Sequence, residues 1–574
     1  MAKELSRTAL MIRDRQLSKM GVSLAEYQEW FKKTYRKDYR INGVGGGGQR
    51  VSLMETIKLI LQFRDKKIRC VTDYDVDGIC SSVILSLFLQ KLGCRDFKVR
   101  IPRRKEEGYG IDIGIVDELR DGEKDCSGTL IITADNGIAA VEAVAYAKSF
   151  GMTVIVTDHH LPRVEGGRTI LPQADITIDP AAIPGTAVFN GYCGAGLCYK
   201  LAEACFAQEK GFMTLLMGFA AIATKADSVP LREENYVICH NGMTALTKKM
   251  TLPGLLKLMS RNYISNVASH EIDFKIAPCI NAPGRLDDYG PQLVVSAFLE
   301  NDRLKIDEYI EEIYEMNKKR KEDTAAVYNE AVRILEEEGY QEGMPAVVYV
   351  PEANEGLMGL AAIRIADNYH CCAMVLTDSA ESGILKGSAR AYGDEAHLKN
   401  SLDRFGDLFE SYGGHKGAAG VTVRKDNLDA VKREFRRNLP VCARAVKEPE
   451  IVIDNKDIAD AAYILSVLEP FGECNERPLF RVNNFRVLPR NGKFKDIMKG
   501  GTVKLVSSES EAIGFGMEER LEEYPAPKSV DLIGNIYLEY SYKEKKTVPH
   551  IEFIDFEIHK TETGNRRIIK KNAT

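Results

Sequence analysis

Between residues 51 and 180, short apolar β-rich runs alternate with helix-like stretches, and this alternation is the strongest constraint on the fold. The β-rich runs are IRCVTD (68–73), TLIITAD (129–135), MTVIVTDHH (152–160) and ITIDP (176–180). The helix-like stretches between them include SSVILSLFLQKL (81–92) and VEAVAYAKSF (141–150). Strands that alternate with helices are joined by right-handed crossovers, which set the strands side by side in parallel. The pattern therefore predicts an α/β domain with a doubly wound parallel sheet.

The segment before this domain is polar and helix-like, and it ends in a glycine tract made of Gly43 and Gly45 to Gly48. No strand pattern precedes the tract, and it lacks the Lys-Ser/Thr pair of a phosphate-binding loop. Glycine-rich stretches commonly act as flexible connections. We therefore interpret residues 1–48 as a helical segment that ends in a hinge or linker.

The chain of 574 residues is too long for one hydrophobic core, and its pattern changes twice after residue 300. Apolar residues at spacings of mostly three and four predict one long helix over about 300–338: Ile306, Ile310, Ile313, Val327, Ala331 and Ile334. A second, smaller α/β region follows, with strands PAVVYV (345–350) and CAMVLTD (372–378). After Glu448 the sequence has short β-like runs broken by Gly, Asn and Pro, which are typical of a small β-barrel or sandwich.

Composition argues against several other classes of protein. With 44% hydrophobic and 28% charged residues the chain has an ordinary globular composition. It has no run of about 18 apolar residues that would span a bilayer, and its N-terminus lacks the pattern of a secretory signal. The thirteen cysteines are scattered and several lie in apolar runs, which is typical of reduced thiols. We therefore expect a cytoplasmic protein without a disulfide framework.

The formal net charge of −5 does not favour nucleic-acid binding by the chain as a whole, but such binding depends on local basic patches. One patch is KVRIPRRK (98–105). A second is a basic C-terminal tail with Lys560, Arg566, Arg567, Lys570 and Lys571. Taken alone, each patch is more typical of a solvated surface than of a binding site.

The acidic residues of the first α/β domain fall where its predicted strands end. Asp73, Asp75 and Asp77 follow the first strand, Asp135 ends the next, and the run Asp158, His159 and His160 ends the third. Loops at the carboxyl ends of parallel strands converge on one crevice, where so many carboxylates would repel one another unless cations neutralised them. Carboxylates with an imidazole suit Mn²⁺ or Mg²⁺. Asp227, in ATKADSVP, could close the cluster.

The pattern therefore predicts a site for two metal ions. Such a pair activates a water molecule and stabilises both the attacking and the leaving oxygen of a phosphoryl displacement. This chemistry predicts hydrolysis of a phosphoester or phosphoanhydride and leaves the size of the substrate open.

The segments DYDVDG, DNG, DHH and ATKADSVP resemble the motifs of the DHH phosphoesterases. INAPGRL (280–286), GSAR (387–390) and GGHKGAAG (413–420) resemble the accessory DHHA1 half of these enzymes. PRRKEEGYG (102–110), and LEPFGECNERPLF (468–480) before a β-rich segment, are similar to the single-strand-specific exonucleases of the RecJ family. The resemblance covers about residues 50–560.

With the patterns above, the resemblance implies an α/β multidomain protein. Its segments would be an N-terminal helical segment with a glycine linker (1–48), a DHH catalytic domain (49–300), a connecting helix (301–340), a DHHA1 domain (341–445), an OB-like nucleic-acid-binding domain (446–560) and a basic tail (561–574). Aromatic residues available to stack on bases in the OB-like domain are Phe480, Phe485, Tyr537, Tyr540 and Tyr542, although most aromatics of a small barrel belong to its core.

The resemblance also implies roles for individual residues. The metal ligands would be Asp75, Asp77, Asp135, His159 and Asp227, with Asp135 bridging two divalent ions, Mn²⁺ or Mg²⁺. Asp73 would assist from outside the ligand set, Asp158 would orient the histidines, and His160 would donate to the scissile phosphate. A pocket for a 5′-phosphate and the first nucleotides would be formed by Arg104, Tyr109, Arg285, Ser388, Arg390 and, across the cleft, His415.

The implied function is a metal-dependent 5′→3′ exonuclease that hydrolyses single-stranded DNA to 5′-mononucleotides in DNA repair and recombination. Its partners would be single-stranded DNA with a 5′-phosphate, a helicase and a single-strand-binding protein. Two alternatives remain open at this point. One is a DHH phosphodiesterase for short RNA oligonucleotides or cyclic dinucleotides, and the other is a non-catalytic replication or repair scaffold.

Three positions depart from the family pattern. Lys225 stands two residues before Asp227, where an aliphatic residue is usual, and it could pair with the acidic cluster or change its metal affinity. Asn354 stands where a histidine is common, which predicts a weaker substrate contact. Residues 474–476 read Cys-Asn-Glu instead of the more usual Gly-Asn-Pro, which concerns a linker more than the chemistry.

Overall fold

The computed structural model describes residues 5–33, 40–393, 396–443, 448–489, 494–498, 501–508, 510–522, 528–541 and 546–558. Two helices come first, α1 (Arg7–Lys19) and α2 (Leu24–Lys33), as the polar helical pattern predicts. The predicted basic tail and Tyr542 lie outside the described residues, as does the side chain of Tyr540. Within the described ranges, no helix is both long enough and apolar enough to cross a membrane.

The first domain contains a seven-stranded sheet and the helices that cover it. Its elements up to the last strand are β1 (Asn42–Gly45), β2 (Arg50–Ser52), α3 (Leu53–Leu61), β3 (Lys67–Val71), α4 (Val76–Leu92), β4 (Asp96–Arg100), α5 (Ile113–Arg120), β5 (Thr129–Ala134), α6 (Val141–Ser149), β6 (Thr153–Thr157), β7 (Arg163–Glu165), β8 (Arg168–Ile170) and β9 (Ile176–Ile178). The sheet order is β2-β1-β9-β6-β5-β3-β4, and the five strands from β9 to β4 run parallel. This arrangement confirms the predicted doubly wound parallel sheet.

The strand order places the acidic segments at the point where the sheet changes direction. Strand β3 pairs with β4 on one side and with β5 on the other. The next strand after β3 is therefore added on one side of it, and the following strand on the opposite side. In open α/β sheets, the crevice at such a switch point is where ligands bind. The segments that carry Asp73 and Asp135 begin at this point, directly after β3 and β5.

The glycine tract is not the predicted linker. Gly43 and Gly45 belong to β1, which pairs antiparallel with both β2 and β9. A Cβ atom on Gly43 would come within 2.9 Å of Cγ2 of Ile176, so glycine at this position allows close strand approach instead of flexibility. The basic patch 98–105 also contains an unpredicted element, because its first residues end the edge strand β4.

Helices complete the first domain and connect it to the second. They are α7 (Gly194–Phe206), α8 (Lys210–Ala226), α9 (Glu233–Thr247), α10 (Pro253–Arg261), α11 (Ser269–Glu271), α12 (Ala277–Leu286), α13 (Gly290–Leu299) and α14 (Arg303–Glu337). Between α11 and α12 the residues Ile272–Ile276 form one π-helical turn. The 35-residue helix α14 confirms the predicted connecting helix and buries Ile306, Ile310 and Ile313 near one end and Val327 and Ala331 near the other.

The second α/β domain has a five-stranded sheet of order β10-β11-β12-β14-β13, in which only β10 and β11 run parallel. Its elements are β10 (Ala346–Tyr349), α15 (Met358–Tyr369), β11 (Ala373–Asp378), β12 (Ile384–Arg390), α16 (Leu398–Leu402), β13 (Phe409–Gly414), β14 (Ala418–Arg424) and α17 (Leu428–Asn438). Asn354 accepts a hydrogen bond from the N–H of Gly356 at 3.0 Å and so caps a short 3₁₀ turn before α15.

The third domain is a seven-stranded mixed sheet with two packed helices that the sequence did not predict. Its elements are β15 (Ile451–Asp454), α18 (Ile458–Val467), β16 (Phe480–Arg486), β17 (Asp496–Met498), β18 (Thr502–Val506), β19 (Glu511–Gly514), α19 (Glu518–Glu522), β20 (Ser529–Ser541) and β21 (Lys546–Ile558). Ala9 and Ile12 of α1 share the core of this domain, so the N-terminal helix packs on the far end of the chain.

Two aromatic residues proposed for base stacking are unavailable in this domain. Phe480 and Phe485 are 0% exposed and belong to the core, because they lie on the inward face of β16. Tyr537 contacts the guanidinium of Arg477 and the ring of His270, at the boundary with the first domain.

A loop of residues 468–477 holds the third domain against the first, and Lys225 is part of this contact. The buried ammonium of Lys225 donates to the carbonyl of Phe471 and lies 3.2 Å from a carboxylate oxygen of Asp273. Lys225 therefore does not pair with the acidic cluster as the sequence suggested. Asn475, the middle residue of the Cys-Asn-Glu departure, is also buried and accepts a hydrogen bond from Gln16 of α1 at 2.7 Å.

Replacement of Lys225 by Met tests this interdomain contact. The change should lower the free energy of unfolding by about 1–3 kcal/mol, because it leaves the Phe471 carbonyl and Asp273 without their donor. Urea unfolding followed by circular dichroism measures the effect. Lys210→Met, at the exposed first residue of the same helix, is the control and should leave the midpoint unchanged. Equal midpoints for Lys225→Met and wild type would contradict the structural role of Lys225.

Candidate active site

The acidic and histidine residues that follow β3, β5 and β6 lie close together in the structure. Their possible ligand atoms form three groups, each within 4.8 Å: Asp73 with Asp75 and Asp135, Asp77 with His159 and Asp227, and Asp135 with Asp158, His159 and His160. All the residues predicted to form or support the metal site are therefore brought to one edge of the sheet.

The N-terminus of α4 positions the first pair of carboxylates. Asp75 is the N-cap residue of this helix, and its carboxylate accepts hydrogen bonds from the N–H groups of Asp77 at 2.9 Å and Gly78 at 3.1 Å. Aspartate is a favoured N-cap, and the positive end of the helix dipole stabilises its charge. Gly78 is required here because a Cβ atom would lie 2.1 Å from the carbonyl oxygen of Asp73.

The N-terminus of a second helix, α7, holds Asp77. The backbone N–H groups of Gly194 and Ala195 donate to its two carboxylate oxygens at 2.6 and 2.7 Å. A Cβ atom on Gly194 would lie 2.6 Å from Cβ of Asp135, so only glycine lets this helix approach the cluster so closely. This contribution was not predicted from the sequence, in which the Gly-Ala-Gly run at 194–196 was the available signal.

Asp135 lies between the groups and has an unusual backbone conformation. Its φ of +65° is in the left-handed region, which is uncommon for a residue other than glycine. Asn136 fixes this turn, because its side-chain amide donates to the carbonyls of Val71 and Ala134, both at 3.0 Å. Strained backbone of this kind concentrates at functional sites.

The electrostatics of the cluster require positive charge. Burial and the neighbouring carboxylates raise the pKa of Asp73, Asp75 and Asp135, and burial and nearby acids raise the pKa of Asp227 to about 8. One carboxylate oxygen of Asp73, Oδ1, is buried and has no hydrogen-bond donor among the described residues. A buried, crowded and partly unsatisfied set of carboxylates fits bound divalent cations, which keep such groups ionised.

His159 is oriented as a metal ligand would be. Its Nε2 atom lies 3.0 Å from Asp135, 3.5 Å from Asp77 and 3.7 Å from Asp227. Burial lowers the pKa of His159, which favours the neutral imidazole that coordinates metals.

His160 has a different environment from its neighbour. Its Nδ1 atom lies 2.8 Å from Oδ1 of Asp158, whose other oxygen accepts the N–H of Ile138 at 2.9 Å. Burial opposes the charged form of His160, but the hydrogen bond to Asp158 and the negative charges of Asp158, Asp227 and Asp77 together raise the pKa of His160 to about 9. His160 is thus held as a proton donor. The phenol oxygen of Tyr109 lies 2.9 Å from the same Nδ1 atom, and about half of the Tyr109 side chain is exposed.

A group of arginines adjoins the carboxylates. Burial and the neighbouring guanidiniums of Arg104, Arg320 and Arg390 lower the pKa of Arg285 to about 10. Among the described residues, the side chain of Arg285 donates one hydrogen bond, to the carbonyl of Gly356 at 3.1 Å. Glu106, a possible acidic partner for these arginines, pairs with Arg103 instead. The predicted pocket residues Arg104, Arg285 and Arg390 are therefore brought together.

Arg390 and Ser388 lie on β12 and contact Gly359 of α15. A Cβ atom on Gly359 would lie 2.6 Å from Nη2 of Arg390 and 3.5 Å from Oγ of Ser388. Arg320 was missed from the sequence. Arg320 lies on α14, three residues after the buried Asn317 and four before the buried Thr324. A charged residue at the spacing of the buried positions was the signal in the sequence that could have identified it.

No hydrogen bond or ion pair among the described residues joins His415 to the cluster. It is exposed in the turn between β13 and β14, and its contacts in the described structure are with Gly417 and Ala418 of that turn.

Three family models match the chain, one for each domain. The DHH family, N-terminal domain, matches residues 67–224, the DHHA1 domain matches residues 343–439, and the RecJ OB domain matches residues 451–550. The matched ranges contain the acidic cluster except Asp227, the GSAR segment and most of the C-terminal sheet.

Among known proteins, the chain is similar to the single-stranded-DNA-specific exonuclease RecJ of Bacillus subtilis, with 30% identity over 92% of the chain and 66% of that relative. RecJ of Salmonella typhimurium is 30% identical over 74% of the chain and 75% of the relative. The structure of Thermus thermophilus RecJ in complex with Mn²⁺ superposes with a TM-score of 0.72 at 22% identity and covers 98% of the chain and 80% of that protein. This likeness confirms the predicted fold. The chain, with its DHH, DHHA1 and OB domains, belongs to the RecJ family of single-stranded-DNA-specific exonucleases.

Proposed function

We propose that this chain is a metal-dependent exonuclease that hydrolyses single-stranded DNA from its 5′ end and releases 5′-mononucleotides in DNA repair and recombination. The observation that carries the proposal is the pairing of two features in one crevice. The first feature is the cluster of carboxylates and histidines, in which Asp135 belongs to two of the three ligand groups. The second is the group of neighbouring arginines, which have no carboxylate within ion-pair distance among the described residues.

Two divalent cations, Mn²⁺ or Mg²⁺, would be held by overlapping ligand sets. One set would be Asp73, Asp75 and Asp135, and the other would be Asp77, Asp135, His159 and Asp227. When bound, such a pair supplies positive charge to a scissile phosphate and activates a water molecule. This proposal moves Asp73 into the ligand set, because its buried Oδ1 atom has no donor in the described structure.

The remaining polar residues of the site would handle the substrate. His160, held by Asp158 through Nδ1, would donate a proton from Nε2 to an oxygen of the scissile phosphate. Arg104, Arg285, Arg320 and Arg390, with Ser388, would bind a 5′-phosphate, since a dianion relieves the repulsion among clustered guanidiniums and suits their planar donors. Binding of the terminus beside the cluster would set the 5′→3′ direction.

The third domain would hold the incoming strand, as domains of the oligonucleotide-binding type do. We also propose that the enzyme acts in the cytoplasm, where its thirteen free cysteines would stay reduced. A helicase and a single-strand-binding protein would supply the unwound strand, because an enzyme that requires single strands depends on other proteins to open a duplex.

Product analysis tests the substrate class. With Mn²⁺, the protein should release mononucleotides from end-labelled single-stranded DNA and leave blunt duplex DNA intact. Rapid cleavage of an RNA dinucleotide with no release from DNA would favour a phosphodiesterase for short RNA. No cleavage of any substrate would favour a scaffold.

Asp135→Asn should reduce hydrolysis roughly 1000-fold or more, because loss of the shared carboxylate removes several kcal/mol of transition-state stabilisation. Isothermal calorimetry should show fewer bound Mn²⁺ ions, whereas single-strand binding measured in EDTA should be kept. Asp125→Asn, at an exposed loop position, is the charge-matched control. Turnover of Asp135→Asn at the wild-type rate would contradict the shared-ligand assignment.

Arg390→Ala tests the 5′-phosphate pocket. Wild type should have a higher kcat/KM for a 5′-phosphorylated oligonucleotide than for the same oligonucleotide with a 5′-hydroxyl. The variant should lose about 10-fold or more of this preference, as expected for the loss of a charged hydrogen bond. Arg424→Ala, at an exposed position of β14, should keep the preference. An undiminished preference in Arg390→Ala would place the 5′-phosphate elsewhere.

A further inference from the structure

The hydroxyl of Tyr109 connects a backbone carbonyl of the candidate metal site to the side chain of His160. Its oxygen lies 2.7 Å from the carbonyl oxygen of Asp135 and 2.9 Å from Nδ1 of His160. The two rings meet edge to face with their centroids 5.4 Å apart. Tyr109 thus contacts both the residue shared by the proposed ligand sets and the proposed proton donor.

The proton positions along this chain of contacts follow from the chemistry of the groups. The Asp135 carbonyl is only an acceptor, so the single phenolic proton of Tyr109 points to it. The Tyr109 oxygen then presents a lone pair to the His160 ring, 2.9 Å from Nδ1 and 3.4 Å from Nε2. The Asp158 carboxylate lies 2.8 Å from Nδ1 and is the acceptor to which the Nδ1 proton points. Tyr109 and Asp158 therefore both contact the imidazole ring.

The same hydroxyl supports the unusual backbone of Asp135. This residue has a φ of +65°, and its N–H donates to the carbonyl of Thr157 at 3.0 Å. The Tyr109 hydroxyl satisfies the carbonyl of the same residue, so both backbone groups of a left-handed aspartate are hydrogen-bonded.

We propose that Tyr109 is a positioning residue, whose hydroxyl is anchored on the Asp135 carbonyl and holds the His160 ring in its orientation. The inference rests on the proposed function, in which Nε2 of His160 faces the scissile phosphate. About half of the Tyr109 side chain is exposed, so its ring can stack on a terminal base while its hydroxyl orients His160. Two separable roles are expected for one side chain.

Two substitutions separate the roles. Tyr109→Phe removes the hydroxyl and keeps the ring, whereas Tyr109→Leu removes both. With Mn²⁺ and a 5′-phosphorylated single strand, Tyr109→Phe should lower kcat about 10- to 100-fold, as loss of a supporting partner does. Its KM, and its Kd for the strand in EDTA, should stay near wild type. Tyr109→Leu should show the same loss of kcat together with weaker binding.

A double-mutant cycle identifies the residue through which Tyr109 acts. In a His160→Ala background, Tyr109→Phe should lower kcat by less than about twofold, because the residue that it positions is already absent. Tyr146→Phe is the matched control, since Tyr146 also donates its hydroxyl in a hydrogen bond, in its case to the carboxylate of Asp117 at 2.9 Å, but lies outside the site.

The outcomes are distinguishable. Wild-type kcat in Tyr109→Phe, or an undiminished loss in the His160→Ala background, would overturn the positioning role and leave the proposed function standing. A rise in the KM and Kd of Tyr109→Phe with kcat unchanged would assign the hydroxyl to strand binding and would also overturn it. A wild-type protein that releases no nucleotide would overturn the proposed function itself.

Discussion

Repulsion among buried carboxylates is the constraint on which this structure depends. The carboxylate oxygens of Asp73, Asp75 and Asp135 lie within 4.8 Å of one another at the edge of the sheet. Burial and the neighbouring negative charges raise the pKa of each of these groups. The N-termini of α4 and α7 offset part of this charge, because their backbone N–H groups donate to Asp75 and Asp77. Helix ends supply only partial charge, so bound cations would have to supply the rest.

The residues proposed to bind the substrate come to the same edge from two other parts of the chain. Arg285 lies in the last turn of α12 and donates to the second domain at the carbonyl of Gly356. A Cβ atom on that glycine would lie 2.3 Å from the carbonyl oxygen of Arg285. The backbone of Lys105 is hydrogen-bonded to Asp288 at 3.0 Å, which fixes the segment of Arg104 beside it. Close contact between two domains therefore creates the arginine pocket next to the carboxylates.

Sequence patterns predicted the features that depend on neighbouring residues along the chain. The strands, the long helix α14 and the acidic strand ends were predictable, because residue period and position in a parallel sheet determine them. The glycine tract at Gly43 was misread, since glycine serves flexibility and close strand approach equally well and only the neighbouring Ile176 distinguishes them. The environments of Lys225 and Arg320 were also not predictable, because their partners come from distant segments and only the tertiary fold brings them near.

The proposed mechanism depends on the sharing of Asp135 by two metal ions. Anomalous diffraction at the manganese edge from crystals grown with Mn²⁺ tests this sharing directly. We expect two peaks about 3.5–4 Å apart, one beside Asp73 and Asp75 and the other beside His159 and Asp227, with the Asp135 carboxylate between them. A single peak, or a second peak away from Asp135, would contradict shared ligation by Asp135.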